Sequence, residues 1–258
     1  MKISHSLPIV LLVVFTSPVS PDVLPPDESL PNTVCRWTNE SIIIDGVPDE
    51  DAWAQSPVVT FFDATDGSAP RQPTEVRLLY NEEMLLLAYE CVDDRITSTL
   101  TERDANLWAE ETVELFACPT GDLRYYFEYE VNPLGALLDL TVRNNFTAAR
   151  GSSGISGDYE WNSEGMEWAA DIQRAGDQVQ GWSVEMAIPF EDMEQPTPED
   201  GEIWRIGLFR IDSAGPDPDE YTAWSPTFKK PAAFHHPQYF GFLEFQTQSV
   251  VEDFWLLR

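Results

Sequence analysis

Cysteine, basic residues and long apolar runs are all scarce in this chain, and each scarcity removes a class of protein. The three cysteines, Cys35, Cys91 and Cys118, are an odd number without close spacing, so neither a disulfide framework nor a cysteine-ligated metal defines the fold. At most one bridge is available, and Cys91 and Cys118 sit in strand-like segments where buried, inert thiols are the commoner outcome. Fifteen lysines and arginines stand against forty-five aspartates and glutamates, a formal net charge of −30. Such a surface repels phosphate and anionic lipid, which argues against nucleic acid as a partner and suits a neutral ligand or a hard cation. Neither a glycine-rich phosphate loop nor a Ser-His-Asp sequence context is present. The apolar stretch Leu7 to Phe15 is too short to span a bilayer comfortably.

What that stretch does fit is an export leader. Met1-Lys2, the apolar run and then Thr16-Ser17-Pro18-Val19-Ser20 follow the order of a secretory signal, here assigned to residues 1–20. No membrane association beyond export is expected, and the protein is expected in a periplasmic, cell-surface or extracellular setting. Residues 21–33, rich in proline and acid, read as a linker. Residues 34–248 read as one folded domain and 249–258 as a tail. Arg150 to Asp158, rich in glycine and serine, reads as a long surface loop.

Within the domain the dominant signal is short apolar or alternating runs separated by turn residues. Thr74 to Tyr80 and Met84 to Val92 flank Asn81-Glu82-Glu83 as a hairpin, and Thr112 to Cys118 and Arg124 to Asn132 flank Pro119-Thr120-Gly121-Asp122. Leu137 to Val142, Trp168 to Gln173, Trp182 to Ile188, Ile203 to Ile211 and Tyr239 to Phe245 continue the series. Helical periodicity is confined to a turn over Asp49 to Gln55 that carries Trp53 inward. The pattern predicts an all-β, antiparallel, jelly-roll-like β-sandwich with one or two short helical turns. Period-two alternation puts Val113 and Leu115 on one face of their strand and Thr112, Glu114 and Phe116 on the other. On the partner strand Phe127, Tyr129 and Val131 share a face, with Glu128, Glu130 and Asn132 opposite. If the two strands pair, one sheet has an apolar face toward the core and a polar face toward solvent or a ligand.

Several separated stretches then resemble one family, the family 9 carbohydrate-binding modules. They are Ile44-Asp45-Gly46 with Asp49-Glu50 and Trp53; Arg103-Asp104 with Trp108 to Phe116; Tyr129 to Gly135; and Ala223-Trp224-Ser225-Pro226 with Phe234 to Gly241. The resemblance implies a sandwich, non-catalytic binding of mono- or oligosaccharide in support of carbohydrate catabolism, and structural calcium in some members. It also implies a slot with a sugar ring between two aromatic side chains. Trp108 matches the first platform and Phe234 the second, where binding members usually carry tryptophan. Glu114 and Asn132 match hydrogen-bonding positions, and Arg210 is a looser match to another. Trp224 either lines the slot or packs, and its proline turn favours packing. Glu130 stands where a sugar-binding relative has a basic residue. The chemistry suits the role: pyranose faces present C–H groups to aromatic rings while the hydroxyl edge takes hydrogen bonds from carboxylate and amide groups.

Other readings stay open at this point. Glu114 and Glu130 on neighbouring strands would be the pair of a glycosidase. His235 or His236 with Met84, Met166 or Met186 would be the ligands of a haem-binding sandwich. A module that has kept the fold and lost the slot would serve as a surface or adhesion protein. Oxygen-rich stretches that suit calcium are Asp93-Asp94, Glu110-Glu111 and Asp217 to Glu220, although a solvated acidic face is the simpler account of each.

Overall fold

The computed structural model describes residues 30–145, 154–213 and 218–247; the expected leader and C-terminal tail lie outside them. The described residues are nearly all strand. In chain order these are β1 (Asn32–Trp37), β2 (Val59–Thr60), β3 (Phe62–Asp63), β4 (Thr74–Tyr80), β5 (Met84–Val92), β6 (Thr112–Cys118) and β7 (Tyr125–Val131). They continue as β8 (Leu137–Asn144), β9 (Ile155–Asp158), β10 (Glu167–Ala175), β11 (Gln178–Pro189), β12 (Ile203–Asp212), β13 (Glu220–Ala223) and β14 (Gly241–Gln246). The helical content among them is three 3-10 turns, Asp51–Gln55, Leu107–Ala109 and Pro237–Tyr239.

The strands run β10-β11-β5-β4-β1-β14-β12-β6-β7-β8-β9. The pairings are antiparallel except at β1, which lies parallel to both β14 and β4. β1 thus joins two otherwise antiparallel layers: β10, β11, β5 and β4 on one side, and β14, β12, β6, β7, β8 and β9 on the other. The main core fills the space between them, with Val76, Leu78 and Tyr80 of β4 and Leu87 and Tyr89 of β5 meeting Val113 and Leu115 of β6 and Phe127, Tyr129 and Val131 of β7. The alternation read from the sequence on β6 and β7 therefore holds.

The outward faces are covered too. On the first layer, the Asp51–Gln55 turn lays Trp53 over Leu79, Leu86 and Ala88. On the second, Phe116, Tyr126, Leu138, Leu140, Val142 and Phe209 form a separate cluster under Leu107, Phe234 and Phe240. Apolar residues on both faces of β6, β7 and β8 oblige the chain to cover both, because an uncovered apolar sheet face would stay in water.

Several sequence expectations shift. Strand β1 begins at Asn32, inside the stretch assigned to the linker. Ile155–Asp158, read as loop, is an edge strand paired with β8; Gly157 permits it, since a Cβ there would lie 2.5 Å from Leu140 Cδ1. Tyr239 belongs to a 3-10 turn and not to the last strand. The three cysteines are free and buried.

Candidate functional site

Above the outward face of β6 to β9 is a pocket of about 410 Å³, within the size range of small-ligand sites. Its floor is Glu114 and Phe116 from β6, Glu128 and Glu130 from β7, and Leu140 and Val142 from β8. Trp108, Tyr159, Tyr221, Phe234 and His235 stand round it.

Trp108 is placed by its neighbours. Leu107, fully buried, anchors the 3-10 turn in the outer cluster, and Glu110 accepts hydrogen bonds from the Thr99 and Leu100 amides and the Thr99 hydroxyl, tying the turn to the preceding loop. Trp108 is left projecting from this anchored turn, 49% exposed. Phe234 stands across the pocket but is not free: it is buried and stacks on Phe209, with ring centroids 4.3 Å apart and planes at 13°. Tyr159, just past β9, is 52% exposed. It was not singled out from the sequence, because the strand that leads into it was read as loop.

The floor is unusual in charge. Glu114 pairs with Glu130 across β6 and β7, and Glu128 shares their face, so one carboxylate oxygen from each of the three lies within 4.8 Å of the others. All three side chains are buried. Burial, then neighbouring carboxylates, holds Glu114 and Glu130 well above the usual carboxylate range, and burial raises Glu128 to about 7. Both oxygens of Glu130 and Oε2 of Glu128 meet no donor at good hydrogen-bond geometry. His235 Nδ1 is 3.9 Å from Glu128 Oε2 and hydrogen-bonds the Tyr126 hydroxyl at 2.8 Å. Burial, then His236, pushes its pKa down to about 4.

Of the six contacts expected from sequence, Trp108, Glu114 and Phe234 line the pocket. The other three lie elsewhere. Arg210 points between the layers, because Phe209 and Ile211 take the outward face of β12. There its Nη2 pairs with Asp93 at 2.7 Å, its Nη1 donates to Val92 O at 2.9 Å, and its guanidinium lies 5.8 Å from the Trp182 ring. Asn132 is fully buried and organises a turn: its Oδ1 accepts from the Leu134 and Ala136 amides while its Nδ2 donates to Leu100 O. Trp224 packs in the main core, against Gly241, where any Cβ would lie 2.4 Å from its ring.

The acidic stretches considered for calcium are largely engaged by the protein. Asp93 is paired with Arg210, Glu110 with Thr99, and Glu220 accepts from the Arg71 and Gln72 amides; Asp217 lies outside the described residues. Nor do the residues proposed for haem converge. His235 is on the outer face of the second layer, Met166 and Met186 are in the main core, and Met84 packs on the outer face of the first layer.

A two-layer sandwich with an aromatic-rimmed pocket on the outer face of one sheet is the architecture of a ligand-binding module. The model of carbohydrate-binding family 9 matches residues 59–245, and the chain belongs to that family. It is 28% identical over 190 residues to an extracellular protein of Arthroderma benhamiae, an alignment spanning 71% of this chain and 83% of the relative. Among solved structures it is similar to a protein from Bacteroides uniformis, with a TM-score of 0.64 and 18% identity over 83% of this chain and 99% of that one. It is also similar to a family 9 module from Caldicellulosiruptor kristjanssonii, with a TM-score of 0.59 and 14% identity over 84% of this chain. That module was solved with cellotriose, where 95% of it is covered, and with glucose, where 97% is covered. At these identities the solved structures speak for the fold. No helix among the described residues is long and apolar enough to cross a membrane.

Proposed function

We propose that this protein is an exported, non-catalytic module that binds a mono- or oligosaccharide in the pocket over β6 to β9 and so supports carbohydrate catabolism. Trp108 and Tyr159 cover the C–H faces of the sugar, and Glu114 and Glu128 take its hydroxyls. The observation that carries the reading is Trp108 itself, a large aromatic half in water beside a polar floor. Exposed aromatics over convergent polar groups are how a site grips a ring that is apolar on its faces and polar at its edge. Membership of the family and the sugars bound by the Caldicellulosiruptor module support the ligand class, and the Arthroderma relative supports export.

The carboxylates do not favour hydrolysis. Two catalytic carboxyl groups must flank the scissile bond, whereas Glu114 and Glu130 are opposite each other in one sheet and present themselves to the same side of any ligand. The second platform is placed on Tyr159 and not on Phe234, because the ring of Phe234 is already stacked on Phe209.

Tryptophan fluorescence during titration with glucose, cellobiose, cellotriose, xylobiose and galactose tests the proposal, with Trp108→Ala alongside. A saturable change is expected, weakened at least about tenfold in the variant, ~1.4 kcal/mol, with thermal stability retained because Leu107 and not Trp108 anchors the turn. A folded protein that responds to none of these sugars would remove carbohydrate from the pocket.

A further inference from the structure

The buried acids of this fold fall into two groups that are compensated differently. Asp93, Glu111 and Asp212 lie together between the layers, and the protein answers most of them: Arg210 pairs with Asp93 at 2.7 Å and lies 4.0 Å from Asp212, while the Thr97 amide donates to Glu111 Oε2 at 2.9 Å and Glu111 Oε1 alone is left without a partner. Glu114, Glu128 and Glu130 are equally buried and equally close, yet no lysine or arginine is among the residues that line their pocket.

Independently of their clustering, three of their oxygens are stranded. Both oxygens of Glu130, whose side chain is 1% exposed, and Oε2 of Glu128 meet no donor at good hydrogen-bond geometry; only the Trp108 amide and the contact between the two carboxyl groups come near. Leaving a buried carboxylate oxygen unpaired is costly, and native structures pay that cost where an unseen ion or water belongs. The spacing fits an ion. Calcium takes its oxygens at about 2.3–2.6 Å, so two ligands of one ion lie at most about 5 Å apart. The oxygens here lie within 4.8 Å of one another. They are also hard anionic donors, the type that calcium and magnesium select.

We propose that Glu114, Glu128 and Glu130 hold a divalent cation of the calcium type beneath the pocket, and that hydroxyls of the bound sugar complete its coordination. The first half stands on the carboxylates alone; the second rests on the carbohydrate reading given above. The cation turns a floor that would repel any electron-rich ligand into one that attracts hydroxyl oxygens, and it fixes three side chains that otherwise repel one another.

The test uses the full chain stripped with chelator and titrated with calcium chloride, followed by calorimetry and thermal unfolding, with Glu130→Gln and Glu111→Gln alongside. Wild type and Glu111→Gln are expected to bind calcium and to gain roughly 5–10 °C at about a hundredfold excess over Kd. Glu130→Gln is expected to bind at least tenfold more weakly and, without calcium, to melt above the stripped wild type, since the amide is spared the cost of crowding a third carboxyl against Glu114 and Glu128. A mere packing role for Glu130 predicts the reverse order of melting temperatures. Wild type that binds no calcium, or Glu130→Gln that binds it as well, would overturn the cation site. Cellotriose is then titrated in calcium and in chelator, with at least a tenfold gain expected in calcium. Equal affinity in both overturns the cation's part in sugar binding. Calcium bound through Glu130 with no sugar response in either condition overturns the carbohydrate reading and leaves the cation site standing.

Discussion

Glu111 is fully buried beside Asp93 and Asp212, and Arg210 only partly offsets the cost. Burial is the largest cause of a pKa raised from 4.5 to about 7, followed by the Thr97 amide pulling down and the two aspartates pushing up. A carboxyl raised on folding is stabilising when neutral, so its contribution is fully present below about 4.5 and is lost as pH rises through about 7. Glu111→Gln keeps an acceptor for the Thr97 amide and removes the titration. The variant is expected to match wild type at pH 4 and to exceed it at pH 8 by up to about 3 kcal/mol, at 1.36 kcal/mol per pKa unit. Denaturant unfolding across that range checks this, and parallel pH profiles would show that Glu111 does not drive the loss. Some of the residue-scale chemistry was legible in the sequence. The match of Trp108 to the first platform of the family pointed to an aromatic at the site, and alternation put Glu114 on the outer face of its strand and Glu128 and Glu130 together on that of the partner strand. Their burial was not read, although Leu138, Leu140 and Val142, alternating along β8, bring an apolar stripe to that same face and so call for a cover over it.

At the scale of elements, the turn Asp45-Gly46 and the Trp53 helical turn are fastened to β11 by one side chain. Glu185 accepts from the Asp45 amide at 3.2 Å, the Gly46 amide at 3.0 Å and Trp53 Nε1 at 3.1 Å. Gly46 makes the approach possible: it has φ +89°, and a Cβ there would lie 2.7 Å from the Ala170 carbonyl carbon. Glu185→Ala strands two buried donors, the Gly46 amide and Trp53 Nε1, and a half-buried one, the Asp45 amide, and is expected to cost roughly 2–4 kcal/mol. Glu185→Gln, which keeps one acceptor oxygen, should cost less. Because this junction lies on the outer face of the first layer and the pocket on that of the second, sugar affinity should be unchanged in either variant; a weakened affinity would mean the two faces are coupled. The junction was legible in part, since the Ile44-Asp45-Gly46 and Trp53 pattern announced the turn, but its carboxylate anchor 132 residues from Trp53 leaves no local trace. The same limit explains β12. Gly207-Leu208-Phe209-Arg210-Ile211 is apolar on both faces but for one arginine, so period two gives no answer, and only pairing with β6 turns Arg210 inward. Short strands such as β9 and β13 were missed because their identity lies in the partner strand and not in their own propensity.

For the whole molecule, a formal charge of −30 acts on stability through repulsion that folding concentrates. Most acids are at the surface and far outnumber the arginines and lysines available to pair with them, as Arg77 does with Glu75 and Glu90. Chloride salts should therefore stabilise the fold by screening. The melting temperature is expected to rise by a few degrees as sodium chloride goes from about 0.01 to 0.15 M, where the screening length shrinks from roughly 30 to 8 Å, and to change little beyond. Potassium chloride should act alike, since screening depends on charge and not on ion identity. The buried Arg210–Asp93 pair will not weaken in parallel, because counterions do not reach it. A melting temperature that falls with salt would mean that favourable surface pairs outweigh the excess acid. The same series separates the two ligands assigned to the pocket. Calcium is drawn by the long-range field as well as by its carboxylates, so its affinity should fall as salt screens that field. A neutral sugar feels the field only through the ion beneath it, so with calcium held saturating its affinity should be nearly constant across the range. A sugar affinity that still falls with salt under saturating calcium would place charge on the ligand itself.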